Sequence, residues 1–174
     1  DCTEGQLEEI EDIHRNLGRI VKLNKSLLLL SRIENSQFHE TKEIELNPII
    51  QELVEDFQEI YEHKNLHVEV EENAICKVHM NESLANILIT NLLKNAMIHT
   101  PNEGSITIRI QSTGITFTNS TDGSSLDQSR LFTRFYQADN KKSDSTGLGL
   151  AIVQSIVHLY HFHISYSFDG KHRF

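Results

Sequence analysis

Two glycines stand directly before an apolar, helix-patterned segment in residues 145–160, STGLGLAIVQSIVHLY. Gly147 and Gly149 are poor choices for a helix interior, where glycine costs about 1 kcal/mol against alanine. Glycine is favoured where the backbone must bend unusually or let another group approach closely. A glycine turn that opens a helix also leaves free N–H groups at the positive end of the helix dipole, which suits a phosphate. The stretch therefore indicates an anion site.

A second polar pair lies on a strongly apolar predicted helix, residues 81–97. Asn91 and Asn95 are four residues apart and so share one face. Asparagine is a poor helix former, so two of them on an apolar stripe need a reason. They are either satisfied buried amides or carbonyl oxygens facing a cleft. In a cleft they could bind Mg²⁺, which takes few protein ligands and keeps phosphate oxygens and water.

The pattern of apolar and turn-forming residues predicts the elements that must position these groups. We expect helices at 6–37, 47–63, 81–97 and after Gly149, with Asn47 as the N-cap of the second and Pro48 as its first residue. Predicted strands are 42–46, 66–70, 74–78, 105–111, 115–118 and 163–168. Residues 119–146 form a long polar loop, of the kind that is usually a functional lid or disordered. The order predicts an α+β domain, a two-layer sandwich of a mixed, mostly antiparallel sheet with helices on one face, preceded by one long helix.

The composition limits the classes of function that the chain can have. The 174 residues permit one domain and an appendage, and the formal net charge of −9 argues against nucleic acid as a partner. No run of 18 apolar residues predicts a membrane span. Cys2 and Cys76 have no CxxC spacing and indicate reduced thiols, and the ten histidines form no ligand cluster.

The first predicted helix carries a narrow apolar seam. Ile10, Ile13, Leu17, Ile20 and Leu27 follow a heptad spacing. A helix of about 30 residues is roughly 45 Å long, which exceeds one small core. It either folds back on its own domain or belongs to a bundle or dimer whose partner lies outside this chain.

The motifs in combination resemble those of a known family. An N-x-x-x-N helix, a strand pair, a polar loop containing Phe132-Thr-Arg-Phe-Tyr136 and GLGLAIV opening a helix resemble the ATP-binding catalytic domain of sensor histidine kinases. That family shares a superfamily, and the Bergerat-type ATP-binding fold, with Hsp90, type II topoisomerases and MutL. The resemblance implies a catalytic domain at 39–174, whose last strand stops mid-pattern. Residues 1–38 resemble part of the second helix of the family's dimerisation and phosphoacceptor hairpin.

The resemblance also implies site residues. Asn95 corresponds to the asparagine that ligates Mg²⁺, and Asn91 to a polar position near the phosphates, which together form the catalytic pair. Gly147 and Gly149 correspond to glycines whose backbone N–H groups hold the phosphates. The other implied nucleotide-binding residues are His99, Asn119, Tyr136, Thr146, Leu148 and Leu150. Phe132, Phe135 and Tyr136 correspond to the aromatic anchor of an ATP lid, although plain core packing would explain them as well.

Three departures from the family bear on the nucleotide. Asn119 stands where the family has the adenine-binding aspartate, with Asp122-Gly123 as a weaker alternative. The lost charge predicts weaker ATP binding and a softer preference for adenine over guanine. Ile98 and Gln137 replace a common lysine and arginine. The cations that could compensate are Lys94, Arg134, Lys141 and Lys142.

A fourth departure concerns activity. The family's phosphoacceptor motif is missing, and His14 lies on what resembles the second hairpin helix. The resemblance thus implies a kinase core that binds ATP and Mg²⁺ and phosphorylates a histidine on a helix outside this chain. It further implies a response regulator receiver domain, a homodimeric parent, and a membrane anchor with this domain in the cytoplasm. Two rivals remain open, an Hsp90- or MutL-like ATPase and a degenerate, non-catalytic binding module.

Overall fold

The computed structural model describes residues 4–137 and 146–174, and every helix and strand below lies within those ranges. The helices are α1 (Glu4–Glu34), α2 (Leu46–Ile60), α3 (Glu82–His99) and α4 (Gly149–Leu159). The strands are β1 (Lys42–Glu45), β2 (His67–Glu72), β3 (Lys77–Met80), β4 (Ser105–Gln111), β5 (Gly114–Ser120), β6 (Ser167–Phe168) and β7 (Lys171–Arg173). In this described part, no helix has the length and apolar character that crossing a membrane requires.

Five strands form the main sheet, in the order β2-β4-β5-β7-β6. β2 runs parallel to β4, whereas the β4–β5, β5–β7 and β7–β6 pairs are antiparallel. β1 and β3 pair with each other in a separate antiparallel ladder. The predicted mixed, mostly antiparallel sheet is confirmed, although two of the predicted strands lie outside it.

One face of the main sheet is buried because side chains alternate along its central strands. Ile106, Ile108 and Ile110 of β4 are fully buried, while Arg109 between them is exposed. Phe117 of β5 continues the layer, and residues of α2, α3 and α4 complete the same core. Full burial of each of these side chains is worth about 1.5–3 kcal/mol. The two-layer α+β architecture is confirmed.

Helix α1 behaves differently along its length. Leu30 and Ile33 near its end are each 1% exposed and belong to the core. Toward its beginning, Ile10, Ile13 and Ile20 of the seam are 46%, 58% and 60% exposed. The end of the helix therefore folds against its own domain, and the seam is left exposed, as a bundle helix without its partners would leave it.

The prediction that Asn47 caps α2 is wrong. The helix begins at Leu46 after Glu45, which makes no side-chain cap. Asn47 is buried, and its side chain bonds outward: Nδ2 donates to Glu72 at 2.7 Å and Oδ1 accepts from the Cys76 N–H at 2.9 Å. Instead of capping α2, Asn47 joins this helix to the end of β2 and to the segment just before β3. Pro48 falls in the first turn, where an N–H has no helical partner to lose.

The predicted strand 163–168 is also largely wrong, because only Ser167 and Phe168 pair with β7. Tyr166, just before them, bonds to the preceding loop instead. Its carbonyl oxygen accepts from Gln128 Nε2 at 3.1 Å and its hydroxyl accepts from the Leu126 N–H at 3.0 Å. Asn119 and Ser120, expected in the loop, are the last residues of β5.

Candidate functional site

Helix α3, which carries both candidate asparagines, is fixed at its two ends. Asn81 caps its start, with Oδ1 accepting from the Leu84 N–H at 3.2 Å. At its end, Lys64 Nζ donates to the carbonyl oxygens of Met97, Ile98 and Thr100 at 2.8, 3.0 and 2.6 Å. A cation is stabilising there because the C-terminal end of a helix is negative. Lys64 could not be recognised from the sequence, since no local spacing connects it to the Met97 carbonyl 33 residues later.

Asn91 joins α3 to the start of α4. It is half-buried, and its Nδ2 donates to the Ile87 carbonyl oxygen at 2.7 Å. A Cβ atom placed on Gly149 would lie 3.0 Å from Asn91 Oδ1, closer than side chains normally approach. The two motifs singled out from the sequence therefore meet in space. Glycine at 149 is explained by this close approach rather than by an unusual backbone angle.

Asn95 lies one turn further along the same helix face. It is half-buried, and no other residue in the described ranges hydrogen-bonds to its side chain. Among the described residues, no side-chain nitrogen or oxygen is buried without a hydrogen-bond partner, so the unpartnered Asn95 amide is accessible to solvent. Its carbonyl oxygen is therefore available to a hard cation, and together with phosphate oxygens it fits Mg²⁺. The described residues contain no cluster of three or more histidine, cysteine, aspartate or glutamate side chains that would offer an alternative metal site.

The glycine turn itself adopts a conformation that favours glycine. Gly147 has φ +66°, and its carbonyl oxygen accepts from the Phe135 N–H at 2.8 Å. Leu148 is fully buried and anchors the turn, while Thr146 and Leu150 on either side are half-buried. Helix α4 has no side-chain cap at its start. Its first N–H groups are therefore open to an anion.

The aromatic motif lies at the other side of this turn. Phe132 and Tyr136 are half-buried, and the Arg130 guanidinium lies 5.2 Å from the Tyr136 ring centroid. Phe135 is 57% exposed and has φ +63°. A non-glycine residue rarely adopts this conformation, and such strain is typical of functional segments. The backbone hydrogen bond between Phe135 and Gly147 thus joins two residues that flank the central part of the predicted lid. Residues 138–145 of that lid are outside the described ranges.

Asn119 is 2% exposed on β5, and its Nδ2 donates to the Ser120 carbonyl oxygen at 3.3 Å. Directly across on β7 lies His172, which is 6% exposed. Burial lowers the pKa of His172 and keeps its ring neutral at neutral pH. His172 could not be recognised as a site residue from the sequence. Its alternation with exposed Lys171 and Arg173 was the only signal, and the segment was too short to interpret.

The remaining candidate residues are exposed or half-buried, or lie outside the described ranges. His99 is the exposed last residue of α3, and Ile98 beside it is half-buried. Lys94 is exposed on α3, and Arg134 forms an ion pair with Glu34 at the end of α1. Lys141 and Lys142 lie outside the described residues. His14 is exposed on α1, in the part of that helix that does not pack on the domain.

Comparison with protein families agrees with this geometry. Residues 80–173 match the family described as histidine kinase-, DNA gyrase B-, and HSP90-like ATPases, and the chain belongs to that family. The heme sensor protein HssS of Staphylococcus epidermidis is 35% identical over 170 residues, which cover 95% of this chain and 37% of that protein. HssS of Staphylococcus aureus strain Newman is 34% identical, covering 94% and 36%. The chain thus spans little more than a third of these relatives.

Solved structures show the same fold. The Acinetobacter baumannii histidine kinase AdeS matches with a TM-score of 0.69 at 19% identity, covering 99% of this chain and 83% of that one. Full-length ShkA in complex with AMPPNP matches with a TM-score of 0.74 at 16% identity, covering 99% and 38%. Family, relatives and fold together support an ATP-binding catalytic domain of the sensor histidine kinase type, as the sequence motifs predicted.

Proposed function

We propose that this chain is the kinase core of a two-component sensor, which transfers the γ-phosphate of ATP to a histidine on a helix outside the chain. The phosphate then passes to the receiver domain of a response regulator. The observation that carries the proposal is the close approach of Asn91 to Gly149 at the open start of α4, because Asn95 lies one turn from Asn91 on the same face of α3. An amide oxygen and free N–H groups together suit a magnesium-bound triphosphate.

Each part of the site has a distinct task in phosphoryl transfer, where positioning and charge stabilisation do most of the work. Mg²⁺, held by Asn95 Oδ1 and phosphate oxygens, would supply positive charge at the phosphates. The N–H groups of the Gly147–Gly149 turn donate to phosphate oxygens. Asn91 packs closely against Gly149, and this contact brings the turn near α3. The Phe135–Gly147 bond keeps the lid base closed, so that ordering of the lid would exclude water.

The test is calorimetric titration of ATP with Mg²⁺ into the chain and into Asn95→Ala. We expect saturable binding that falls at least about tenfold in the variant, the loss of roughly 1.4 kcal/mol or more. Asn86→Ala is the matched control, because Asn86 is nine residues earlier and so on the opposite side of α3. Within the described ranges, the Asn86 side chain hydrogen-bonds only to the Glu82 carbonyl oxygen. Equal loss in both variants, or no binding at millimolar ATP, would favour the degenerate binding module.

The structure disfavours the rival ATPase. Hydrolysis of that type needs a general base on the asparagine helix, within reach of the attacking water. The single acid on α3 is Glu82 in its first turn, ion-paired with Lys42 at 2.5 Å and more than two turns from Asn91. Asn91 itself is tied to Ile87 and cannot accept a proton. We therefore expect no appreciable release of phosphate from ATP, whereas rapid turnover would revive the ATPase reading.

The long helix supports the remaining parts of the proposal. Its exposed seam is suited to a four-helix dimer bundle in the parent protein, which we propose is anchored in a membrane with this domain in the cytoplasm. With radiolabelled ATP the chain alone should acquire no phosphohistidine. Addition of the parent's dimerisation hairpin should yield label on that hairpin. Label on His14 of the isolated chain would contradict this assignment.

A further inference from the structure

Two buried polar side chains lie side by side on the main sheet, near the end of β5. Asn119 and His172 are directly opposite each other in the antiparallel β5–β7 ladder. Opposite residues of such a pair point to the same face, with Cβ atoms about 5 Å apart. Both belong to the face that carries Phe117, because alternate residues share a face. Asn119 and His172 are only 2% and 6% exposed, so neither side chain is there to contact solvent.

The contacts of His172 fix which ring nitrogen carries hydrogen. Its Nδ1 lies 2.8 Å from the Tyr166 hydroxyl oxygen, which already accepts the Leu126 N–H at 3.0 Å. The hydroxyl hydrogen is free to be donated to Nδ1. The opposite arrangement would leave that buried hydrogen without an acceptor, which folded proteins avoid. A neutral ring that accepts at Nδ1 carries its hydrogen at Nε2, where it is a donor.

The contacts of Asn119 leave its side-chain oxygen as a hydrogen-bond acceptor, which complements the donor on His172. Its Nδ2 donates to the Ser120 carbonyl oxygen, so Oδ1 is the atom left to accept. The neighbouring side chains thus offer one donor, His172 Nε2–H, and one acceptor, Asn119 Oδ1. Adenine presents a 6-amino donor beside the N1 acceptor, which is the complement of this pair. Guanine presents an O6 acceptor beside an N1–H donor, which opposes it at both positions.

We propose that His172 is a specificity-determining residue, donating its Nε2 hydrogen to adenine N1 while Asn119 Oδ1 accepts from the 6-amino group. Tyr166 is a positioning residue that acts through the imidazole. The inference rests on the proposed function, in which Asn119 faces the nucleobase. It assigns a second base contact to a site whose Asn119 lacks the charge of an aspartate.

The chain allows a matched pair of substitutions. His172→Asn retains an amide near the Nδ1 position, able to meet Tyr166, and loses the group at Nε2. His172→Gln places an amide nitrogen near the Nε2 position instead. A purely structural role, holding Tyr166 and the loop that follows β5, would be served better by asparagine. A base-reading role would be served better by glutamine.

The ligand is varied as well. ATP, 1-deaza-ATP, which has a C–H at position 1, and GTP are titrated with Mg²⁺ into the chain and both variants. We expect the unaltered chain to prefer ATP over 1-deaza-ATP by roughly 2- to 10-fold, the worth of one neutral hydrogen bond. His172→Gln should keep most of that preference and His172→Asn should lose it, while Tyr166→Phe should reduce it.

Equal affinity of the unaltered chain for ATP and 1-deaza-ATP overturns the inference, and this arm needs no variant to fold. An unchanged preference in His172→Asn overturns it too. In either case, ATP binding that still depends on Asn95 leaves the proposed function standing. Absence of any ATP binding to the unaltered chain defeats both.

Discussion

The conformation of Gly147 gives a sharp prediction for Gly147→Ala. Its φ of +66° lies in the left-handed region, which costs an L-residue about 1 kcal/mol or more. A Cβ atom would also lie 2.8 and 2.9 Å from the Phe135 C and Cα atoms and 3.0 Å from the Tyr136 carbonyl oxygen. All three are backbone atoms, so no side-chain rotation relieves the contact.

Gly170→Ala is the matched control. Gly170 has φ +88°, yet nothing lies within 4 Å of a Cβ placed on it. Its substitution therefore measures the conformational cost alone, about 1 kcal/mol. At Gly147, overpacking against backbone adds ~1–3 kcal/mol. We expect the free energy of unfolding to fall by about 1 kcal/mol in the control and by about 2–4 kcal/mol in Gly147→Ala.

The assay is urea unfolding at equilibrium, followed by calorimetric titration of ATP with Mg²⁺ into each folded variant. The chain could relieve the contact by breaking the Phe135–Gly147 hydrogen bond. The free energy of unfolding would then fall less, but the phosphate-binding turn would be displaced. ATP affinity should then drop about tenfold or more, while Gly170→Ala stays within about twofold of the unaltered chain. Should Gly147→Ala match Gly170→Ala in both stability and affinity, the close approach at this turn has no energetic consequence and the reasoning fails.

Four further predictions concern single features. Gly18→Ala, in an exposed helical turn with nothing within 4 Å, should stabilise α1 by about 1 kcal/mol and raise the helical signal in circular dichroism; unchanged or lower helicity would contradict it. Lys64→Met removes three bonds to the end of α3 and should destabilise the domain by about 1–3 kcal/mol. Lys77→Met, which breaks exposed ion pairs, is the control and should lower the free energy of unfolding by less than about 1 kcal/mol. Equal urea midpoints for Lys64→Met and Lys77→Met would refute the role of Lys64 in stabilising the end of α3. Since burial lowers the pKa of His172, the unfolded chain takes up its proton first, so the contribution of this residue to the free energy of unfolding is retained above about pH 6.5 and declines below it. A pH series on His172→Asn should show a shallower acid decline, and an identical slope would argue against a buried neutral ring. Asn119→Asp should restore a charged acceptor and raise the ratio of ATP affinity to GTP affinity by about 5-fold. An unchanged ratio in titrations of both nucleotides would show that Asn119 does not face the base.

Local sequence patterns predicted much of this architecture. The alternation in Ser105–Gln111 and the turn before Gly114 set the β4–β5 hairpin, because burial on one face requires a period of two. The four-residue spacing of Asn91 and Asn95 placed both on one face of α3, since helix geometry is itself local. The fold class and the family followed from the order of these motifs, and both are confirmed.

Asn47 shows where local patterns failed. An asparagine before a proline satisfies every local rule for an N-cap, yet its amide is used by Glu72 and Cys76, 25 and 29 residues away. The hydrogen-bond partners of a buried amide are the groups that lie next to it in the folded chain, and local sequence does not predict them when they are distant in the chain. The hydrogen bond from Asn47, together with one from Gln51, also lowers the pKa of Glu72, which the sequence alone gave no reason to expect.

By itself the sequence determined which residues could do chemistry: an amide pair on one helix face and two glycines before another helix. The tertiary structure decided how they combine. It set Gly149 against Asn91, brought Lys64 to the end of α3 and placed His172 across from Asn119. Periodicity along the chain is fixed by backbone geometry over a few residues. Contacts between distant segments depend on how the helices and sheet share one core, and that is settled only when the whole chain has packed.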